Sequence, residues 1–151
     1  MNRQILLEEW YRIEFECDSI VARAAASEIA VEAGFSRKEC NEISIAVSEL
    51  STNIIKYACP GMLAYRVIQD RRTIFEVMAV DWGRGITNIE LAMKDFHTEE
   101  GPVVASEGYI RPLNEGLGCG LSAVRRLMSS VTIESTPHLG TRVFATKIKN
   151  R

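Results

Sequence analysis

The segment from residue 45 to residue 57 constrains this chain most, because its apolar residues recur with the period of an amphipathic helix. The stripe that would pack on a core consists of Ile43, Val47, Leu50, Ile54 and Tyr57. Glu49, Asn53 and Lys56 follow one another at helical spacing beside that stripe. Polar groups at the edge of a core are costly unless they bind something. A carboxylate that takes a proton, one turn from an amide oxygen that holds a metal, indicates half of a phosphoryl-transfer site.

Length and composition are those of one ordinary folded domain. The 151 residues are 46% hydrophobic and 25% charged, which is typical of a globular protein and not of a disordered chain. We therefore expect residues 1–151 to form a single domain. The formal net charge of −2 gives no electrostatic basis for binding nucleic acid or an anionic membrane.

Cellular location and redox state are predicted from apolar runs and cysteine spacing. Residues 1–10 carry only a run of three apolar residues before two glutamates, and no apolar run reaches the roughly 18 residues of a membrane span. We expect a cytoplasmic protein without a membrane segment. Cys17, Cys40, Cys59 and Cys119 form no CxxC pair, so neither a zinc site nor a disulfide framework is indicated. A buried, reduced thiol is the expectation for these cysteines.

Helix and strand patterns predict an α+β fold. Strands are expected at residues 4–16, 62–69, 73–81, 131–134 and 141–149. Helices are expected from Asp18, as N-cap, to Ala33, from the Ser36–Glu39 capping box to just before Pro60, over 88–95 and over 117–128. Hairpins between consecutive strands favour a mixed, mostly antiparallel sheet with the helices on one face, which is a two-layer α/β sandwich.

Three glycine-containing segments downstream supply candidates for the rest of the site. Asp81-Trp-Gly-Arg-Gly85-Ile86 follows a predicted strand, so Asp81 would face a pocket and accept the amine of adenine. Gly116-Leu-Gly-Cys-Gly120-Leu121 opens a predicted helix, whose N-terminus attracts anions. Gly140-Thr141 begins the last strand and offers a small hydroxyl. Each signal is weak alone, and no strand precedes Gly116 as a dinucleotide-binding turn requires.

In this order the segments resemble the GHKL ATPase superfamily, named for gyrase, heat-shock chaperone, histidine kinase and MutL, whose ATP site is the Bergerat fold. Glu49 to Asn53 is similar to its N box, and residues 81–85, 116–120 and 140–141 are similar to its glycine boxes. The resemblance covers residues 36–149 and implies an ATP lid at about 94–116. The stand-alone bacterial anti-sigma and switch serine/threonine kinases are most similar, above all the stressosome-associated RsbT type. The lid is several residues longer than we expect for that type.

The resemblance implies ATP and Mg²⁺ as cofactors, with a role for each site residue. Glu49 would be the general base toward a serine or threonine hydroxyl, and Asn53 would ligate Mg²⁺. Asp81 and Thr141 would contact adenine. The residues expected to line the rest of the nucleotide pocket are Gly83, Gly85, Ile86, Gly116, Leu117, Gly118, Gly120 and Leu121. Lys56 and Arg111 are candidates for phosphate contacts.

The partners implied by the resemblance differ between two related roles. An RsbT-type kinase would phosphorylate STAS-domain proteins of a signalling complex and then activate a downstream phosphatase. An RsbW-like anti-sigma kinase would bind a sigma factor and phosphorylate its STAS-domain antagonist. A non-catalytic ATP-binding module would not need Glu49, and a histidine kinase would need a phosphoacceptor that neither His97 nor His138 supplies. A homodimer seam on the first strand and helix stays open.

Overall fold

The computed structural model describes residues 2–93, 97–98, 101–102 and 120–151, the two dipeptides by their backbone only. The elements in chain order are β1 (Gln4–Ile13), α1 (Glu16–Glu32), α2 (Arg37–Tyr57), β2 (Gly61–Gln69), β3 (Thr73–Asp81), α3 (Ile89–Ala92), β4 (His97–Thr98), β5 (Gly101–Pro102), α4 (Gly120–Leu127), β6 (Ser130–Thr136) and β7 (Gly140–Ile148). No helix within these ranges is long and apolar enough to cross a bilayer.

Five strands form one sheet in the order β1-β2-β3-β7-β6, and every neighbouring pair is antiparallel. The short strands β4 and β5 pair separately. The helices α1, α2 and α4 pack on one face of the five-stranded sheet, where the buried side chains of both layers form one core. Ile43 and Val47 of α2 belong to this core together with Tyr65 and Phe75 of the sheet. The predicted α+β two-layer sandwich is therefore confirmed.

The helix that carries the predicted site, α2, begins at the predicted capping box. Ser36 Oγ accepts the N–H of Glu39 at 3.2 Å, and Glu39 Oε2 accepts the N–H of Ser36 at 2.8 Å. The other Glu39 oxygen accepts the N–H of Asn150 at 2.7 Å, just beyond β7. Burial would raise the pKa of Glu39, but the N–H donors of Asn150 and Ser36 outweigh it and hold the pKa below its usual value. One carboxylate thus ties the start of α2 to the end of the chain.

The start of α1 differs from the prediction. The helix begins at Glu16 with Phe15 at its N-cap, so Asp18 is a first-turn residue and the prediction of an Asp18 N-cap is wrong. The Asp18 carboxylate accepts the N–H groups of Glu14 at 2.9 Å and Phe15 at 2.8 Å. An acid in the first turn satisfies free backbone donors as an N-cap would, but from inside the helix. The chain therefore turns into α1 earlier, and β1 ends at Ile13 instead of residue 16.

Smaller differences concern element lengths and cysteines. The α3 helix is shorter than predicted: Asn88 is its N-cap, accepting the N–H of Leu91 at 3.0 Å, and its last helical residue is Ala92. The β6 strand is longer than predicted. Cys40 is buried, whereas Cys17 and Cys59 are exposed, so the expectation of buried thiols is wrong for those two. Cys119 and almost all of the predicted lid lie outside the described residues.

Candidate functional site

Glu49 and Asn53 lie one turn apart on α2, where that helix faces the start of α4. A Cβ built on Gly120 would lie 3.4 Å from Asn53 Oδ1 and 3.4 Å from Glu49 Oε2, so the α4 backbone approaches both side chains closely. Both are half-buried, and neither forms a hydrogen bond or ion pair with another described residue. Burial raises the pKa of Glu49. The structure thus brings the predicted base and the predicted metal ligand together beside a glycine backbone.

Asp81 lies at the end of β3, as predicted, and its carboxylate is held by two backbone groups. Its Oδ1 atom accepts the N–H of Gly83 at 3.0 Å and the N–H of Thr141 at 3.2 Å. Burial raises the pKa of Asp81, although these two N–H groups oppose the shift. Both bonds use the same oxygen. Oδ2 receives no hydrogen bond from the described part of the chain and is the oxygen that remains for a ligand amine.

The glycines around Asp81 permit approaches that no side chain would allow. A Cβ on Gly83 would lie 2.4 Å from the Cβ of Ala58, just after α2 ends. Gly140 has φ +122°, and a Cβ there would lie 2.1 Å from the carbonyl oxygen of Asp81. These positions therefore require glycine, which brings the loop after β3 against both the end of α2 and the start of β7.

Ser135 on β6 belongs to the same site, although the sequence pattern does not single it out. Its Oγ accepts the N–H of Ile86 at 2.7 Å and lies 2.9 Å from Thr141 Oγ1. It also donates to the carbonyl oxygen of Gly140 at 3.2 Å. Ser135 and Thr141 are direct cross-strand partners in the β6–β7 hairpin. Pairing the predicted strands at 131–134 and 141–149 as a hairpin, which places residue 135 opposite residue 141, is the signal that would have found it.

The remaining predicted site residues fall into two groups. Among the described ones, Thr141 and Leu121 are buried and Ile86 packs against the core. The Lys56 ammonium lies 5.0 Å from the centroid of the Tyr57 ring, and the Arg84 guanidinium lies 5.2 Å from the same centroid. The predicted site residues outside the described ranges are Arg111, Gly116, Leu117 and Gly118. The phosphate contacts of Lys56 and Arg111 stay predictions.

A cleft of about 350 Å³ lies between the loop after β3, α3 and the β6–β7 turn. Its lining includes Arg84, Gly85, Asn88, Leu91, Pro137 and His138. The cleft shares Gly85 with the predicted nucleotide pocket but is not lined by Glu49, Asn53, Asp81 or Thr141. It is therefore a neighbouring feature of the surface and not the predicted site itself.

The side chains present fit Mg²⁺ and ATP chemically. Asn53 and Glu49 offer amide and carboxylate oxygens, which are the ligands that Mg²⁺ prefers. Gly120 leaves space beside these oxygens that a larger residue would fill. Asp81 offers an acceptor for an exocyclic amine, beside the hydroxyl of Thr141. Asn53 is accordingly the residue that would hold the metal, and Asp81 and Thr141 are those that would hold the base.

Comparison with known proteins places this arrangement in a family. The histidine kinase-like ATPase domain matches residues 14–147. The serine/threonine-protein kinase RsbT of Bacillus subtilis (strain 168) is 33% identical over 137 residues, which cover 90% of this chain and 92% of that protein. An anti-sigma F factor of Clostridium acetobutylicum is 31% identical over 130 residues, covering 83% of this chain and 82% of that protein. An anti-sigma F factor of Caldanaerobacter subterraneus subsp. tengcongensis is 31% identical over 134 residues, covering 86% and 85%. The chain belongs to the histidine kinase-like ATPase domain family, within the GHKL superfamily that its four boxes resemble.

Proposed function

We propose that this chain is an ATP- and Mg²⁺-dependent serine/threonine-protein kinase that phosphorylates STAS-domain proteins in a bacterial partner-switching pathway. The observation that carries the proposal is the half-buried pair Glu49 and Asn53, unpartnered among the described residues and facing Gly120. The similarity to RsbT, whose name describes a serine/threonine-protein kinase, supports the same activity.

Glu49 is the proposed general base. Burial raises its pKa, and a carboxylate with a raised pKa is, in its ionised form, a stronger proton acceptor. Glu49 would accept the proton of the substrate hydroxyl as that oxygen bonds to the terminal phosphorus of ATP, while the bond from this phosphorus to the bridging oxygen breaks and ADP leaves. A pure binding module has no use for such a group. Glu49 therefore favours the kinase over the non-catalytic alternative.

Asn53, Asp81 and the start of α4 are proposed to orient the nucleotide. Mg²⁺ bound at Asn53 would neutralise the negative charge of the phosphates, which is much of what phosphoryl transfer needs. The Asp81 carboxylate would accept the adenine amine through Oδ2. The N-terminal end of α4 presents backbone N–H groups that favour phosphate. These groups would orient the nucleotide and neutralise its charge, while Glu49 would accept the proton.

Partner choice is the second part of the proposal. The similarity to RsbT favours STAS-domain proteins of a stressosome as substrates, with a downstream phosphatase as the next partner. The similarity to anti-sigma F factors supports the alternative, in which the chain binds a sigma factor and phosphorylates its STAS-domain antagonist. Both roles are proposed for the bacterial cytoplasm.

We also propose a homodimer through the outer face of α1. Ile20 and Val31 on that face are 64% and 62% exposed, and apolar side chains exposed along one helix face are typical of an interaction surface. The seam runs along one face of the helix, where successive residues are four, three and four positions apart. Ile20 and Val31 lie at its two ends, and the small residues Ala24 and Ser27 form its centre.

Charge complementarity supports a second copy of the chain as the occupant of this seam. Arg23 and Glu28 flank the seam on opposite sides, and neither has an ion-pair partner among the described residues. In a parallel two-fold pair of α1 helices, residues five apart meet across the seam. Arg23 of each copy would then pair with Glu28 of the other.

A phosphorylation assay tests the proposed activity and separates the two roles. The chain is incubated with labelled ATP and a panel of purified STAS-domain proteins and sigma factors, and both phosphoryl transfer and binding are measured. Transfer to a serine or threonine of a STAS protein, without retention of a sigma factor, is the expected result. Retention of a sigma factor together with transfer to its antagonist would favour the RsbW-like role. Binding of ATP without transfer to any of these proteins would contradict the kinase.

A further inference from the structure

We propose that the cleft between the loop after β3, α3 and the β6–β7 turn is a docking site for a partner protein. It would bind a segment of that partner in which a carboxylate lies next to an apolar side chain, with Arg84 and His138 facing the carboxylate. Of the residues predicted for the nucleotide site, the lining of the cleft includes only Gly85. The inference therefore goes beyond the proposed kinase activity.

The polar part of the cleft lining offers positive charge and hydrogen-bond donors. Arg84 and His138 both line the cleft, and the arginine carries a permanent positive charge. The Asn88 side chain uses its oxygen to accept the N–H of Leu91 at 3.0 Å, which leaves its amide N–H groups as donors. No aspartate or glutamate is among the described lining residues, and the exposed Glu90 of α3 lies outside the lining. This part of the cleft is therefore complementary to an anionic group.

Backbone contacts hold the two cationic sides of the cleft together. The N–H of His138 donates to the carbonyl oxygen of Arg84 at 2.7 Å. A Cβ built on Gly85 would lie 2.5 Å from the carbonyl oxygen of Thr136, so the loop after β3 lies directly against the β6–β7 turn. The Arg84 guanidinium lies 5.2 Å from the centroid of the Tyr57 ring, and this attraction restricts its movement. Because these segments are already joined, binding would need little further ordering of the backbone.

The rest of the lining is apolar, and exposed apolar residues extend from the same loop and turn. Leu91, Ala92 and Pro137 line the cleft. Trp82, in the loop after β3, is 68% exposed, and Leu139, in the β6–β7 turn, is 71% exposed. These are the two highest exposures among the large hydrophobic side chains that the structure describes. Exposed apolar residues gathered beside polar ones are typical of a surface that binds another protein.

The size and chemistry of the cleft favour a protein segment over a small anion. The volume of about 350 Å³ is at the lower end of the range for ligand pockets, roughly 300–1,000 Å³, and suits one or two side chains. Inorganic phosphate would use the donors but leave the apolar lining uncovered. A glutamate next to a leucine would use both. Because the same loop supplies Gly85 to the predicted nucleotide pocket, a partner bound here would be held beside that pocket.

Binding of a short peptide tests the inference without any nucleotide. The chain has two tryptophans, so Trp10→Phe leaves Trp82 as the fluorescent reporter beside the cleft. The probe is the blocked peptide acetyl-Leu-Glu-Leu-Glu-Leu-amide, titrated into the full chain carrying Trp10→Phe. We expect a saturable change in Trp82 emission with a Kd of about 1 mM or tighter. The same peptide with glutamine in place of glutamate should bind about tenfold more weakly, because it lacks the charge.

Matched substitutions in this background locate the binding. Arg84→Gln should weaken the glutamate peptide by about tenfold and the glutamine peptide by much less. His138→Asn should act in the same direction, and asparagine tolerates the left-handed backbone at this position, where φ is +66°. Arg72→Gln is the control, since Arg72 is exposed in the turn before β3, whereas Arg84 follows β3. It should bind both peptides as the parent does. His138→Asn takes the place of Arg84→Gln if the latter does not fold.

The outcomes separate this inference from the proposed kinase. A chain that binds ATP but does not respond to the glutamate peptide at about 5 mM would overturn the docking site alone. Equal affinities for the two peptides, or equal effects of Arg84→Gln and Arg72→Gln, would overturn the role of the cationic residues. Binding of inorganic phosphate through Arg84, without binding of the peptide, would overturn the protein occupant. A chain that binds the peptide as expected but not ATP would support the docking site and contradict the kinase.

Discussion

At the scale of single residues, the site consists of polar groups that lack some of the hydrogen bonds they could form. Glu49 and Asn53 are half-buried, and no described residue hydrogen-bonds to either. Asp81 uses one oxygen for two backbone donors and keeps the other. Such arrangements are costly in an empty protein and are typical of sites that a ligand completes. Two substitutions on α2 test this interpretation.

Asn53→Ala should weaken Mg²⁺-dependent ATP binding by about tenfold or more, or about 1.4 kcal/mol, because it removes the proposed metal ligand. Titration calorimetry with ATP in Mg²⁺ and in EDTA measures the effect. Asn41→Ala, at an exposed position on the same helix, is the matched control and should bind as wild type does. Equal affinities of Asn53→Ala and wild type in both conditions would count against the metal role.

Glu49→Gln should raise the free energy of unfolding of the nucleotide-free protein at pH 7. Burial raises the pKa of Glu49 above its usual 4.5, so the folded chain holds this proton more tightly than the unfolded chain does. Stability then falls as pH rises from 4.5 through the folded-state pKa, and the loss persists at neutral pH. The glutamine variant lacks this titration, so its advantage should vanish below about pH 4.

Denaturant unfolding of wild type, Glu49→Gln and Glu32→Gln at both pH values measures this difference. Glu32 is exposed at the end of α1, so its substitution should have little effect. A Glu49→Gln variant no more stable than wild type at pH 7 would show that Glu49 carries no burial cost.

At the scale of elements, the sequence predicts what is local and misses what crosses between strands. The α2 helix is predicted well because its apolar period and its Ser36–Glu39 capping box lie within one segment. Asp18 is misplaced because a first-turn acid and an N-cap satisfy the same donors. Ser135 is missed because its relation to Thr141 and Ile86 exists only once the hairpin and the loop meet. The order of the boxes predicts the pocket wall, but not the hydroxyl that links its parts.

Gly140→Ala should destabilise the protein by about 3 kcal/mol or more. Its φ is +122°, and the new Cβ would lie 2.1 Å from the Asp81 carbonyl oxygen, a backbone atom that cannot move aside. Gly34→Ala is the matched control: its φ is +79°, but the nearest atom to its Cβ is the flexible Lys149 Nζ at 2.7 Å. We expect Gly34→Ala to lower the free energy of unfolding by only about 1 kcal/mol. Thermal or denaturant unfolding measures both variants. Equal losses of stability in Gly140→Ala and Gly34→Ala would contradict the close approach of the Gly140 backbone to the Asp81 carbonyl oxygen.

At the scale of the whole molecule, the sequence predicts the fold class and the family but not the surfaces that meet partners. The antiparallel sheet and the helix layer follow from hairpins and amphipathic periods, and the family follows from the boxes. Partner surfaces have no such short pattern, because they are assembled from exposed residues of several turns. The outer face of α1 can be recognised as a candidate interface only from the solvent exposure of its side chains in the structure.

Ile20→Lys should convert the proposed homodimer to a monomer, because it places a charge at one of the two large apolar side chains of the α1 seam. Arg23→Glu should weaken the dimer by about tenfold, and adding Glu28→Arg should restore it. Trp10→Lys is the control, since Trp10 is also exposed, at 51%, but lies on β1. Sedimentation equilibrium measures the association. A monomeric wild type, or a dimer unaffected by Ile20→Lys, would contradict the α1 interface.

The central claim is that Glu49 is the base of a protein kinase, and phosphoryl transfer by Glu49→Gln tests it most directly. The variant and wild type are given labelled ATP, Mg²⁺ and the STAS-domain protein that wild type phosphorylates, and ATP affinity is measured in parallel. Glutamine keeps the shape of the side chain but cannot take the proton. We predict ATP binding within about threefold of wild type and transfer reduced by about 100-fold or more. Full transfer by Glu49→Gln would contradict the account.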